Sequence, residues 1–264
     1  RVKDVLDDHP WLRVCDDVAK EQGFFHWQLD FATVFGRGGF DLQVGNPPWV
    51  RPDVDLDALL AESDPWWQLA LKPSEAAKTA RRAETMQFNG AGDIITAGAA
   101  EMVALREFVG DHTTYPEMSG LRPDLYRCFM VQAWVHASLR RIVGLIHPET
   151  HLTDEKAGAM RELTYPRLRR HWQFVNELQL FEVHHLVTYG VHIYGSTRRI
   201  SFLNAAGLYH PETVARSQRH DGSGEEPGLN FEGQWDLRPH HSRIQFVDDA
   251  ELAVWRDILE SPAY

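Results

Sequence analysis

Two cysteines in 264 residues, Cys15 and Cys128, are too few for a disulfide framework or a cysteine zinc site. A reducing, cytoplasmic setting is the expectation that follows. No apolar run approaches the roughly 18 to 20 residues of a membrane helix. The N-terminus also lacks the basic, apolar, small-residue succession of a secretory signal, so no membrane partner is expected. Internal repeats and long low-complexity tracts are absent as well. Positive charge is scarce: 27 Lys and Arg stand against 38 Asp and Glu, a formal net charge of −11. Binding phosphates requires Lys and Arg, so this balance does not advertise a nucleic-acid partner. The charge is uneven, however. Residues 1–64 hold 13 acids and 6 bases, whereas 121–172 hold 9 bases and 5 acids, with Arg161, Arg167, Arg169 and Arg170 crowded together. A solvated helix face and a phosphate-contacting surface are both open readings of that cluster.

What is present is the composition of a soluble globular domain, 43% hydrophobic and 25% charged. The chain opens on Arg1 and stops at Tyr264 in mid-pattern, and both ends are expected to be cut from something longer. Phe40–Val44 has the pattern of a short strand, entered through Gly38-Gly39 and left through Gly45-Asn46-Pro47-Pro48. From Asp57 to about Gly110 apolar residues recur at three- and four-residue spacings, which predicts an insertion of helices, about 51–120. A helix is then predicted over Asp124–Arg141, apolar around most of its girth, followed by a buried strand at Val143–Ile146. Asp154 and Glu155 suit a helix start, with that helix running towards Arg170 and kinked or ended by Pro166. Phe174–Phe181 is the next expected strand, and Val191–Tyr194 with Arg199–Leu203 around Gly195-Ser196 suggests a hairpin. This succession predicts an α/β sheet ending in an antiparallel pair, with Val143–Ile146 beside a central Phe40–Val44. Ala250–Leu259 is expected to be a last helix, and a soft boundary falls near residue 206, separating 1–205 from a loop-rich extension over 206–264.

The segment that carries chemistry is Asn46-Pro47-Pro48-Trp49, after the strand. Ligands of open α/β sheets bind outside the carboxyl ends of strands. Two prolines fix two φ angles and remove two donors, which leaves a rigid loop with carbonyls to spare. Asn46 offers a side-chain carbonyl and Trp49 a flat apolar face. These parts suit an exocyclic amine on a planar base, whose lone pair is delocalised into the ring. Acceptors at the Asn46 side chain and the Pro47 carbonyl take both N–H bonds, draw the nitrogen towards tetrahedral geometry and aim its lone pair at an incoming methyl group. Catalysis of this kind is positioning plus electrostatics. The same four residues also fit a proline-rich turn capped by an aromatic for packing.

Asn-Pro-Pro-aromatic after a strand resembles the signature of amino-methyltransferases acting on adenine N6, and on glutamine N5 of proteins. The wider stretch, Phe25-His26-Trp27-Gln28-Leu29-Asp30-Phe31 and Gly39-Phe40-Asp41 into Gly45–Trp49, is similar to adenine-N6 DNA methyltransferases of type IIG restriction–modification and BREX-type phage-defence systems. Asp124-Leu125-Tyr126, Phe129, Gly144–Pro148 and Arg161-Glu162-Leu163 continue the likeness. The resemblance implies a partial Rossmann-like methyltransferase sheet, S-adenosylmethionine as cofactor, and double-stranded DNA with a flipped adenine as partner, alongside other restriction or defence subunits. It implies catalytic roles for Asn46, Pro47, Pro48 and Trp49. Such enzymes hold the cofactor with a Phe-x-Gly-x-Gly turn after a strand. Phe88-Asn89-Gly90-Ala91-Gly92 has those letters but follows a polar, helical stretch, so the cofactor half and the downstream recognition domain are expected to be missing. A protein glutamine-N5 methyltransferase and a catalytically incomplete module binding DNA or a partner are the alternatives.

Tyr189 is a second aromatic for the base, or an ordinary half-buried strand end; Asp41 assists the cofactor side, or is the polar end of a strand. The fourteen histidines, including His184-His185 and His240-His241, show no metal-site spacing, because adjacent strand residues face opposite ways. No metal is expected.

Overall fold

The computed structural model describes residues 2–258. Among the described residues four helices precede the first strand: α1 (Val2–Asp8), α2 (Trp11–Glu21), α3 (Trp27–Asp30) and α4 (Ala32–Phe35). Strand β1 (Phe40–Gly45) follows directly on Gly39, a position that only glycine satisfies. Its φ is +107°, and a Cβ there would sit 2.5 Å from the His136 carbonyl oxygen. The close approach lets Phe40 N–H donate to that carbonyl at 2.9 Å and starts the pairing of β1 with its neighbour.

The helical insertion follows as α5 (Leu56–Ala61), α6 (Trp66–Leu69), α7 (Glu75–Thr85) and α8 (Ala91–Gly110). Asp55 and Ser74 cap α5 and α7 by accepting from main-chain N–H groups. Buried Asp64 ties the insertion together: Arg81 donates to it at 2.6 Å and Thr85 at 2.7 Å. The Arg81 bond leads in drawing the Asp64 carboxyl down to about 2 against the cost of burial.

Helix α9 (Leu125–Val135) is shorter than its sequence pattern suggests, because β2 (Ala137–His147) begins only two residues later. Residues 137–141 are apolar or amphipathic enough for either state. Parallel pairing with β1, from Phe40 opposite Ala137 to Gly45 opposite Leu145, decides for strand. After β2 come α10 (Thr150–Thr153) and α11 (Gly158–Thr164). The single helix expected from Asp154 to Arg170 is thus corrected: Asp154 caps a 3-10 turn by accepting from Lys156 N–H, and α11 stops before Pro166. The early stop advances β3 to Leu168–Val175, ahead of the expected 174–181.

The remaining elements are β4 (Thr188–Tyr194), β5 (Ser201–Leu208), α12 (Pro211–Ser217), the small ribbon β6 (Asn230–Phe231) and β7 (Gln234–Trp235), β8 (Gln245–Asp248) and α13 (Asp249–Ile258). The last residue of the expected final helix, Leu259, lies outside the described residues. The main sheet runs β1-β2-β4-β3-β5-β8. The expected hairpin does not form. β4 lies antiparallel between β2 and β3, with Tyr194 opposite both Val143 and Leu168, while β5 pairs parallel to β3 and antiparallel to β8. Strand 188–194 is buried on both faces, Tyr189 on one and His192 and Tyr194 on the other, as an interior position allows and an edge would not. Residue 206, the sequence-level boundary, falls inside β5, and β8 joins the same sheet.

The α/β fold class stands, with the helical insertion where it was expected. β1 is, however, the edge strand and not a central one, and Leu42 and Val44 are 64% and 78% exposed on it. Two cores flank the sheet. One holds Tyr126, Met130, Trp134, Val143, Met160, Leu168 and Tyr194; the other holds Trp172, Phe174, Tyr189, Ala205, Leu208 and Val214.

Candidate functional site

Strand β1 hands the chain to Asn46 at its carboxyl end, level with the ends of β2 and β3 because all three run parallel. Asn46 is exposed, Pro47 buried, Pro48 exposed and Trp49 half-buried. The buried first proline and the anchored tryptophan hold the loop at two points and leave the Asn46 amide facing solvent. Trp49 Nε1–H donates to the Ile146 carbonyl at the end of β2, 3.1 Å away. Its ring stacks on Tyr189 with centroids 5.7 Å apart and planes 29° apart, and meets Phe181 at 5.3 Å. Phe174 stacks on the far side of Tyr189 at 5.6 Å. Trp49 and Tyr189, 140 positions apart in the chain, therefore form one aromatic wall. Phe174 and Phe181 complete it, and no signal in the sequence singled them out. Burial raises the Tyr189 hydroxyl above the usual phenol range.

The loop continues into a latch that sequence reading also missed. Leu125 N–H at the start of α9 donates to the Val50 carbonyl at 3.0 Å, and Arg51 Nε lies 3.5 Å from Asp124 Oδ2. Asp124 is 8% exposed, and desolvation outweighs Arg127 and Arg51 to raise its carboxyl. Asp41 stands at the other end of β1, where Ser138 Oγ–H donates to it at 2.6 Å. Four residues of strand separate it from Asn46, about 13–17 Å at roughly 3.3 Å per residue. It is remote from the loop, at the register irregularity between Phe40 and Leu42, and its carboxylate is taken up by Ser138 of β2.

Behind the loop, on the opposite face of the sheet, lies a cluster of buried imidazoles. His147 and His192 stack face to face at 3.9 Å and 7°, with His171 at 4.9 Å and His151 at 5.7 Å from His192. His147 Nδ1–H donates to the Pro148 carbonyl and Nε2 accepts from Tyr194 OH, which is the neutral tautomer. Burial first, then mutual repulsion with His171, pushes His147 down to about 3. His151 and His192 are held well below the ordinary histidine range for the same reasons. His171 instead pairs with Glu149 at 3.0 Å. Among the described residues no three His, Cys, Asp or Glu side chains are arranged to hold a metal ion. None of the described helices is long and apolar enough to cross a membrane.

Gly90, the candidate cofactor glycine, has a φ of +80° but caps α8 directly after α7. It is a helix-to-helix turn, remote from any strand end. Among the described residues no glycine turn follows a strand in the way a dinucleotide-like cofactor requires.

Residues 4–64, which contain that loop, match the family model described as Eco57I restriction-modification methylase. The segment that carries the loop is therefore similar to restriction-modification methylases. Among solved structures, the chain is similar to the type IIG restriction endonuclease BpuSI, with 17% identity over 59% of this chain and 19% of that one, and a TM-score of 0.37. A nuclease-deletion mutant of the Type ISP restriction-modification enzyme LlaGI, in complex with a DNA substrate mimic, aligns at 9% identity. That alignment covers 62% of this chain and 12% of the other, with a TM-score of 0.29. The chain thus spans about a fifth or less of the length of these structures. No curated protein matches it.

Proposed function

We propose that the Asn46–Trp49 loop is the target-amine site of a DNA methyltransferase that modifies adenine N6 in restriction–modification or phage defence. The observation that carries the reading is the exposed Asn46 at the carboxyl end of β1, beside a Trp49 fixed by the Ile146 carbonyl and by Tyr189. Asn46 Oδ1 and the Pro47 carbonyl accept the two N–H bonds of the flipped adenine's amine. Pro47 and Pro48 keep both acceptors from wandering. Trp49 and Tyr189 hold the ring by stacking, worth about 1–3 kcal/mol per base on an aromatic, and exclude water from one side. S-adenosylmethionine, when bound, supplies an electrophilic methyl group.

Replacing Asn46 with Ala in the intact protein removes one acceptor and leaves the prolines and the aromatic wall in place. A positioned transition-state hydrogen bond is worth about 2.7–4 kcal/mol, or roughly a hundred- to thousandfold in rate. Tritiated-methyl incorporation into duplex DNA measures it. Wild-type rates in the Asn46→Ala protein reduce the loop to a structural turn. Methyl transfer to protein glutamine with none to DNA replaces the substrate.

A further inference from the structure

The crowded arginines of the sequence separate in the fold. Arg161 turns inward, where it caps main-chain carbonyls of residues 151, 154 and 155. Tyr194 lies opposite both Val143 and Leu168, which brings Arg141 of β2, Arg167 and Arg169 at the start of β3, and Arg198 after β4 to one end of the sheet; Arg141 repels Arg167, and Arg198 and Arg141 repel Arg169. Three chain segments thus converge at the end of the sheet opposite the Asn46 loop. Arg141 lies five residues before Ile146, the anchor of Trp49, or about 17 Å at roughly 3.3 Å per residue.

Each guanidinium is steered by main-chain acceptors, with no carboxylate within ion-pair distance among the described residues. Arg167 Nη1 donates to the Leu163 carbonyl at 2.7 Å, with its head over the Trp134 ring at 5.1 Å. Arg141 Nη1 donates to the Ala137 carbonyl at 3.4 Å, and Arg198 Nη2 to the Ser201 carbonyl at 2.8 Å. Arg169 serves as the strut of the group. It donates to the carbonyls of Pro166, Arg167, Leu168 and Ser196, and packs so closely on Gly195 that a Cβ there would meet its Nε at 2.9 Å. The Nε atoms of Arg141 and Arg167 have no partner. Among the described residues none of the four forms an ion pair, whereas Arg81, Arg199 and Arg238 all do. Glu117 is the one carboxylate that acts on Arg167. Burial first, and then the neighbouring arginines, hold Arg167 and Arg169 below the ordinary guanidinium range.

In a chain of net charge −11, four unpaired arginines held together by the fold cost stability through mutual repulsion. A polyanion removes that repulsion, and guanidiniums suit phosphate oxygens. We infer that Arg141, Arg167, Arg169 and Arg198 form a surface for the phosphodiester backbone of duplex DNA, separate from the loop that receives the base. The choice of duplex rests on the DNA substrate proposed above.

Fluorescence anisotropy of a labelled 20-base-pair duplex, titrated with this chain between 50 and 200 mM KCl, tests the surface. Every phosphate that an arginine no longer neutralises lowers the slope of log K against log salt by about 0.9. For the Arg141→Gln/Arg198→Gln double variant the slope is expected to fall by about 1.8, and affinity at 100 mM salt to drop roughly sixtyfold. Circular dichroism checks its fold, and Arg198→Glu, in an exposed loop, gives a second, milder variant with the same expected direction. Slope and affinity equal to wild type in both variants overturn the inference. Binding of inorganic tripolyphosphate by calorimetry, without binding of duplex, overturns the duplex as occupant. The salt slope reads this surface and methyl incorporation reads the loop, so failure of the methyl-transfer reading and failure of this surface appear in different measurements.

Discussion

The imidazole cluster at the centre of the sheet makes the fold sensitive to acid. His147 is fully buried and neutral, pushed from the ordinary 6.5 down to about 3. Its folded pKa is depressed, so the unfolded chain binds more protons throughout the window from about 6.5 to about 3. Stability is complete above that window and is lost as the pH falls through it. Each pH unit below 6.5 costs about 1.4 kcal/mol per such group. From pH 6.5 to pH 5 His147 alone removes about 2 kcal/mol, and His151 and His192, held well below the ordinary range, act in the same direction. A loss of about 2 kcal/mol from His147 alone is already a large share of the stability of a small domain, about 5–15 kcal/mol. Glu149, ionised and bonded to His171 and Gln173, adds to the loss only at lower pH, because its carboxyl lies below the ordinary 4.5. Urea unfolding followed by tryptophan fluorescence at pH 7.5, 6.0 and 5.0 measures the slope. His192→Leu, which removes one stacked imidazole whose Nε2 has no partner, should flatten it. A midpoint that does not move between pH 6.5 and 5, or a slope unchanged in His192→Leu, refutes the assignment of His147, His151 and His192 as neutral.

Other expectations follow from single contacts. Trp49→Phe keeps the stack on Tyr189 but strands the Ile146 carbonyl, at a cost of about 0.5–1.5 kcal/mol in chemical denaturation. An unchanged midpoint would mean that the indole bond does not anchor the loop. Gly39→Ala places a Cβ 2.5 Å from the His136 carbonyl at a φ of +107°, and should destabilise the protein by more than about 1 kcal/mol. Equal melting of wild type and variant would contradict the tight β1–β2 junction. Cys128 is buried, with its thiol pushed up to about 12 by desolvation, while Cys15 is exposed. Ellman's reagent should therefore titrate one thiol in the native protein and two in guanidinium; two fast native thiols would overturn that burial.

The loop and its flanking strand were legible in the sequence because they depend on local chemistry. Gly38-Gly39 needs positive φ, Pro47-Pro48 ends a strand, and Asn46 and Trp49 are conspicuous by residue type. The helical insertion was legible for a similar reason, since its apolar spacing is a local periodicity. Residues 137–141 and 154–170 were misjudged because their patterns suit two states, and pairing partners far along the chain chose between them. The order of the sheet was likewise beyond local pattern. Nothing near Gly195 records that β4 enters between β2 and β3, since that placement is set by burying both of its faces. The same holds for Tyr189 against Trp49, for the four imidazoles around His192, and for Arg141 and Arg198 beside Arg167 and Arg169. The sequence by itself determined the elements whose conformations are set within a few residues, together with the proline-bounded Asn46–Trp49 loop after β1. Tertiary structure alone decided which aromatics, histidines and arginines became neighbours, because contacts between distant segments form only when the sheet assembles and buries its two faces.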